Sequence, residues 1–322
     1  MNITIEKLEK HQIWLYGISL VVGAIIGIIK KDAGQSLDSA ISPLIAILMY
    51  GMFAQIPFLK LREAISDFRF TLALLIGNFI AVPMIVWILI VIFPQSPPVL
   101  LGVCLVLLTP CIDYVIVFTQ LGKGNEKLIL AATPILFVAQ MVLLPLYLWL
   151  FIGEEVAGVV QVEPFLEAFL TLIILPLAFA VVTQLWADKS VTGVKVLNIT
   201  TWLPVPLMAL VLIVVVASQI VKVQSDFDII LGVIPIYILF LIITPFVSRF
   251  IAYLFRLEKG AGRALIFSTG TRNSLVVLPL ALALPGSWAT LAAAVIVTQT
   301  LIELVGELFY IKAVPKWIFK GD

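Results

Sequence analysis

Leu107-Leu108-Thr109-Pro110-Cys111-Ile112-Asp113-Tyr114 lies halfway along a hydrophobic segment that runs from about Pro98 to Leu121. A helix that spans a bilayer is normally continuous, because lipid offers no partner to an open backbone carbonyl or amide. Pro110 has no amide hydrogen and its ring crowds the preceding turn, so the helix is expected to break there. A thiol, Cys111, and a carboxylate, Asp113, stand at that break. A second segment, about Arg263 to Leu284, is interrupted in the same way at Ser268-Thr269-Gly270-Thr271-Arg272-Asn273. Pro110 and Gly270 are 160 positions apart in a chain of 322 residues, half its length. Two broken spans at matching places in two halves point to the binding site of a transporter.

The composition agrees with a membrane setting. The chain is 62% hydrophobic and 12% charged, with a mean hydropathy of +1.18. Apolar runs longer than 18 residues recur, and such runs are helices in a bilayer. A net charge of +1 gives no electrostatic footprint for nucleic acid. Two cysteines and one histidine exclude a disulfide framework and a zinc site, and no cofactor is implied. The polar start, Met1 to His11, has no small-residue cleavage site, so the first span is expected to be retained.

Ten spans fit the hydropathy: Trp14–Ile29, Ile41–Phe58, Phe70–Phe93, Pro98–Leu121, Leu128–Ile152, Pro164–Trp186, Val196–Val221, Ile229–Leu254, Arg263–Leu284 and Trp288–Val314. Sixteen of the twenty basic residues then fall with the two termini on one side, and only Lys30, Lys31 and Lys222 on the other. The positive-inside rule places both termini in the cytoplasm. The expected fold is an all-α integral membrane protein, a single transporter domain over 1–322. Its two inverted five-helix repeats would be residues 1–160 and 161–322, with broken helices 4 and 9 crossing near mid-membrane.

Charges inside a bilayer cost on the order of 2.5–3.5 kcal/mol even on the mildest scale, so each needs a role. Asp113 and Arg272 belong to the two breaks and would offset each other's desolvation if the helices cross, either as an architectural staple or as a frame for substrate. Glu303 and Glu307 are spaced four apart on one face of the tenth span, Glu303 deeper and Glu307 nearer its end. Burial favours the neutral form of a carboxyl group, as a proton carrier requires. Cys111 is expected to open the second half of the broken fourth span, where helix amides and a nearby Arg272 favour the thiolate and desolvation opposes it; a thiolate would suit soft substrates. Cys104, seven residues earlier in an apolar run, reads as a small core residue.

The run Pro110-Cys111-Ile112-Asp113-Tyr114-Val115-Ile116-Val117-Phe118-Thr119, followed by Gly122-Lys123-Gly124-Asn125, resembles the fourth-span signature of arsenite efflux permeases. These belong to the bile acid/arsenite/riboflavin transporter superfamily and are related to bile acid:sodium symporters. Leu301-Ile302-Glu303-Leu304 resembles the tenth-span motif that carries an essential acid in those permeases. The resemblance implies that Cys111 is the metalloid-binding thiol and Glu303 the coupling carboxylate. It also implies a core bundle rocking against a panel of spans one, two, six and seven. Sodium–bile acid symporters read Glu-Thr-Gly-x-Gln-Asn at the ninth-span crossing, where the Glu and Gln help to ligate sodium. Here Ser268 and Arg272 stand at those positions, which argues against sodium there. The acid that typical arsenite permeases carry shortly after the Asn has no counterpart in Asn273-Ser274-Leu275-Val276-Val277.

The expected function is proton-coupled efflux of arsenite or antimonite across a prokaryotic plasma membrane. Substrate would sit near Cys111, Pro110, Asp113 and Arg272, with Thr109, Thr271 and Asn273 offering hydrogen bonds, and Glu303 and Glu307 would serve the proton. The alternative is a carrier of small organic anions that pairs Arg272 with a carboxylate or sulfonate. A receptor or scaffold would leave buried charges at paired breaks without a role. An enzyme is excluded by the lack of a nucleophile–base–orienter set. The chain carries no mark of an oligomeric state.

Overall fold

A computed structural model describes residues 5–29, 31–56, 58, 67–112, 114–152, 167, 169–223 and 227–320. The apolar runs fold as helices: α1 Ile5–Ile29, α2 Lys31–Gln55, α3 Phe68–Ile92, α4 Pro97–Leu107, α5 Val115–Leu121, α6 Glu126–Ile152 and α7 Leu170–Ala187. They continue with α8 Val191–Thr200, α9 Pro204–Val223, α10 Phe227–Leu254, α11 Lys259–Gly270, α12 Ser274–Leu282 and α13 Ser287–Ala313. A final π-helical turn covers Val314–Ile318.

Among the described residues, six helical stretches are long and apolar enough to cross a membrane: Phe68–Ile92, Glu126–Ile152, Leu170–Ala187, Val191–Ser218 (α8 running on into α9), Asp228–Leu254 and Ser287–Ile318 (α13 with the final turn). Trp14–Ile29 and Ala40–Gln55 are shorter apolar stretches within α1 and α2, and α4, Pro97–Leu107, is a shorter apolar helix. Expected spans four and nine are absent from the long set because each is cut at its break. The pieces are 11 and 7 residues for α4 and α5, and 12 and 9 for α11 and α12.

The chain divides into two compact units, and each draws on both halves of the sequence. Unit 1 is Met1–Leu59, Gln161–Phe227 and Leu278–Ala294; unit 2 is Lys60–Val160, Asp228–Val277 and Val295–Asp322. In unit 1, α1 and α9 pack where Gly23 leaves room: a Cβ there would stand 2.8 Å from the Ile213 carbonyl oxygen. The open carbonyls at the end of α2 are met by one side chain, as Gln184 of α7 donates to Ile56 O at 2.7 Å and Ala54 O at 3.2 Å.

Two of the helix prolines in unit 2 are matched by tyrosines. Pro83 has no amide for the Phe79 carbonyl four residues back, and Tyr147 of α6 donates to that carbonyl at 2.5 Å. Pro245 frees the Leu241 carbonyl in the same way, and Tyr310 of α13 donates to it. The side of α3 marked by Ile80, Met84, Trp87, Ile88 and Val91 is exposed, the apolar stripe a lipid-facing helix presents. By contrast Val103–Leu107 of α4 and Ala264–Gly270 of α11 are buried on every side. These first halves of the two broken elements run through the core of unit 2.

Candidate functional site

The first break, between α4 and α5, and the second, between α11 and α12, pair with each other as a short antiparallel bridge, Pro110 opposite Arg272. Cys111 N donates to Thr271 O at 3.1 Å, and Asn273 N donates to Thr109 O at 2.9 Å. Proline suits this position because the bridge asks nothing of its missing amide. The backbone groups that a break leaves open are therefore met by the opposite break.

This pairing corrects one expectation. Cys111 does not begin the second half-helix: α5 starts at Val115 with Tyr114 before it. Cys111 lies in the extended stretch because its amide is held by Thr271, and it is fully buried. Asp113, and with it the expected Asp113–Arg272 pair, lies outside the described residues.

The Arg272 guanidinium has other partners. Its Nη2 donates to Asn78 Oδ1 at 2.8 Å and to Ser268 O at 2.6 Å, and its Nη1 donates to Leu107 O at 3.3 Å. Leu107 closes α4 and Ser268 lies in the last turn of α11, so one cation stands at the negative ends of two half-helices. Its carbon lies 5.6 Å from the Phe240 ring centroid. Asn78 is held in turn, donating to Leu74 O and to Ser268 Oγ, each at 3.1 Å. Three oxygens and a ring face take up a fully buried positive charge.

Glu303 holds the Arg272 backbone: Arg272 N donates to its Oε2 at 2.7 Å. Gln299, one turn earlier on α13, donates to the same oxygen at 2.5 Å, and Tyr114 Oη donates to Oε1 at 2.7 Å. Tyr114 Oη is also 3.0 Å from Arg272 O. Glu307 is fully buried, with Oε1 2.8 Å from Thr271 Oγ1. Thr271 Oγ1 lies 2.7 Å from Phe267 O as well.

Counting protons shows what this arrangement can do. A hydroxyl has one proton to give, and a carbonyl can only accept. Tyr114 stands between Glu303 and a carbonyl, and Thr271 stands between Glu307 and a carbonyl. If the acid is ionised, the hydroxyl turns its proton to it. If the acid is protonated, it donates to the hydroxyl, which donates to the carbonyl. Each acid has a partner in either state, so a proton can be taken up or released without orphaning that hydroxyl.

Eight of the nine residues singled out by sequence are thus joined in one network through α4–α5, α11–α12 and α13. The hydroxyls of both expected threonines have partners inside the protein. Thr109 Oγ1, just past the end of α4, turns its one proton back to that helix, shared between Leu105 O at 2.9 Å and Val106 O at 3.2 Å, and Thr271 Oγ1 lies against Glu307. Buried polar atoms without a hydrogen-bond partner here are Asn273 Nδ2, Ser274 Oγ, Gln299 Oε1, Glu307 Oε2 and Arg272 Nε. Sequence reasoning passed over Asn78, Tyr114 and Gln299. Asn78 was detectable as an amide inside an otherwise apolar run, where lipid leaves it no partner. Among the described residues, no group of His, Cys, Asp and Glu is placed to hold a metal ion.

The sequence model described as the sodium bile acid symporter family matches residues 42–226, more than half of the chain. The match takes in the first break and ends before the second. Among curated proteins, none matches the chain.

Proposed function

Because the chain belongs to the sodium bile acid symporter family, and so is a membrane transporter of a small solute and not an enzyme, we propose that its solute is arsenite or antimonite, expelled in exchange for protons. The observation that carries this reading is the position of Cys111. Its thiol belongs to the bridged stretch, next to Pro110 opposite Arg272, and two carboxyl groups with built-in proton partners bond the same bridge. A thiolate is the soft ligand that a trivalent metalloid takes, and an acid that is satisfied both charged and neutral suits a coupling ion of charge one.

Sodium is not the coupling ion in this proposal. The guanidinium of Arg272 already fills the acceptor cluster of Asn78, Ser268 and Leu107, and a second cation there would meet a permanent charge. Ten spans in two inverted repeats remain our reading of the topology. Its support is the separation of the breaks by half the chain and their antiparallel pairing. Residues of the panel expected from the resemblance fall in unit 1, and both breaks fall in unit 2. The basic-residue bias supports cytoplasmic termini, and a prokaryotic plasma membrane is part of the same proposal.

A second reading, a carrier of small organic anions, is favoured by one atom: Arg272 Nε has no partner and remains a donor for a carboxylate or sulfonate. Arsenite accumulation in cells lacking their own efflux system separates the two. Low accumulation with the native chain, restored to the level of empty cells by Cys111→Ala, is the expected result. Unchanged accumulation with both chains discards metalloid efflux and moves the search to small anions.

A further inference from the structure

At one end of unit 2, the end of α10, the start of α11 and the C-terminal turn enclose a cleft of about 940 Å³. Arg249, Arg256, Lys259 and Lys320 line it, and its described lining residues include no acid. Four cations around one concavity repel one another, and an anion relieves that cost.

The walls are held in place. Arg263, almost fully buried, donates from Nη2 to Phe319 O at 2.8 Å and from Nη1 to Lys123 O at 3.1 Å. The Phe319 ring lies over Gly262, where a Cβ would come within 2.6 Å of it. The C-terminal turn is thereby fixed against α11, so the cleft has a rigid floor. Arg256 has φ of 50°, a left-handed conformation that glycine adopts without cost. An arginine there keeps a guanidinium on the wall at some backbone expense.

The occupant follows from the surroundings. Tyr253 and Trp317 line the cleft and are 80% and 62% exposed, and Phe250 beside them is 62% exposed. Exposed aromatic rings where an apolar helix hands over to charged residues mark the boundary between hydrocarbon and headgroups. Cations just beyond that boundary face lipid phosphates. We propose that this cleft binds the phosphate-bearing headgroup of an anionic phospholipid, with Arg256 and Lys259 as the main ligands. The site is separate from the network around the two breaks and independent of the transported solute.

The test uses the purified full-length protein in neutral detergent, with its thermal midpoint followed against dioleoyl phosphatidylglycerol, dioleoyl phosphatidylcholine and inorganic phosphate. Phosphatidylglycerol is expected to raise the midpoint by several degrees at concentrations where the other two leave it unmoved. Arg256→Gln combined with Lys259→Gln should lose most of that shift, measured from the variant's own lipid-free midpoint. Lys189→Gln with Lys195→Gln, which removes two exposed charges from unit 1, should keep it. Equal shifts with both lipids, or a full shift in the cleft variant, overturn the site. A shift with inorganic phosphate alone overturns the lipid as occupant. Loss of the shift in the unit 1 variant reduces the effect to general surface charge and also overturns the proposal.

Discussion

The two breaks have the same backbone problem and opposite means of meeting it. The first has a proline and a thiol, and it depends on its partner for hydrogen bonds to Thr109 O and Cys111 N. The second carries Arg272, whose side chain meets the last carbonyl of α4 and one in the last turn of α11, while its backbone anchors Glu303. One break is supported and the other supports. A supported break is free to present chemistry, and a supporting one is costly to alter.

The largest effect on transport should come from the supported break. Cys111→Ala removes no backbone bond, so the protein should fold and insert normally yet lose arsenite efflux altogether, read as accumulation equal to that of cells without the transporter. Efflux that persists would break the comparison at its first term.

The largest effect on stability should come from the other break. Arg272→Gln leaves Leu107 O, Ser268 O and Asn78 Oδ1 short of donors in the core of unit 2, at a cost of about 1–3 kcal/mol for each one left without a donor. A strongly lowered thermal midpoint or poor insertion would show it. The native midpoint should not respond when sodium replaces choline in the buffer, since the acceptor cluster already holds a cation; a sodium-dependent rise would remove the sodium-free reading.

Glu303→Gln keeps the hydrogen-bonding shape but cannot exchange a proton. Efflux is expected to fall about tenfold or more and to lose its dependence on the pH gradient. Glu307→Gln should do less, because Glu307 bonds a side chain of the bridge and not its backbone. Flux measured in proteoliposomes with and without an imposed gradient ranks the two. Equal effects would mean that both acids carry the proton.

Tyr114→Phe is the mildest change. It removes the hydroxyl between Glu303 and Arg272 O, worth about 1 kcal/mol in stability. Its efflux should become less sensitive to pH while arsenite recognition is kept. A loss of recognition instead would assign Tyr114 to the substrate.

Much of this could be read from local physics. Pro110 in an apolar run foretold the first break and Gly270-Thr271-Arg272 the second, because a missing amide or a flexible residue acts on its own turn of helix. Burial of Glu303 followed from its place in an apolar span. The start of α5 four residues after Cys111, and the burial of Glu307, were not legible in the same way. Each depends on an atom supplied from far along the chain: Thr271 O for Cys111, and Thr271 Oγ1 for Glu307.

What the sequence determined by itself is the class of molecule, a helical membrane protein, together with the points at which two helices must break and the residues set there. Hydropathy and proline act over a few residues, and a few residues suffice to read them. The tertiary structure decided the partners: Arg272 on Asn78 and two helix ends, and Glu303 on a backbone amide and a tyrosine. Those bonds join residues up to 194 positions apart. In a low-dielectric interior every polar group must find some partner, and only the packing of the helices settles which one is within reach.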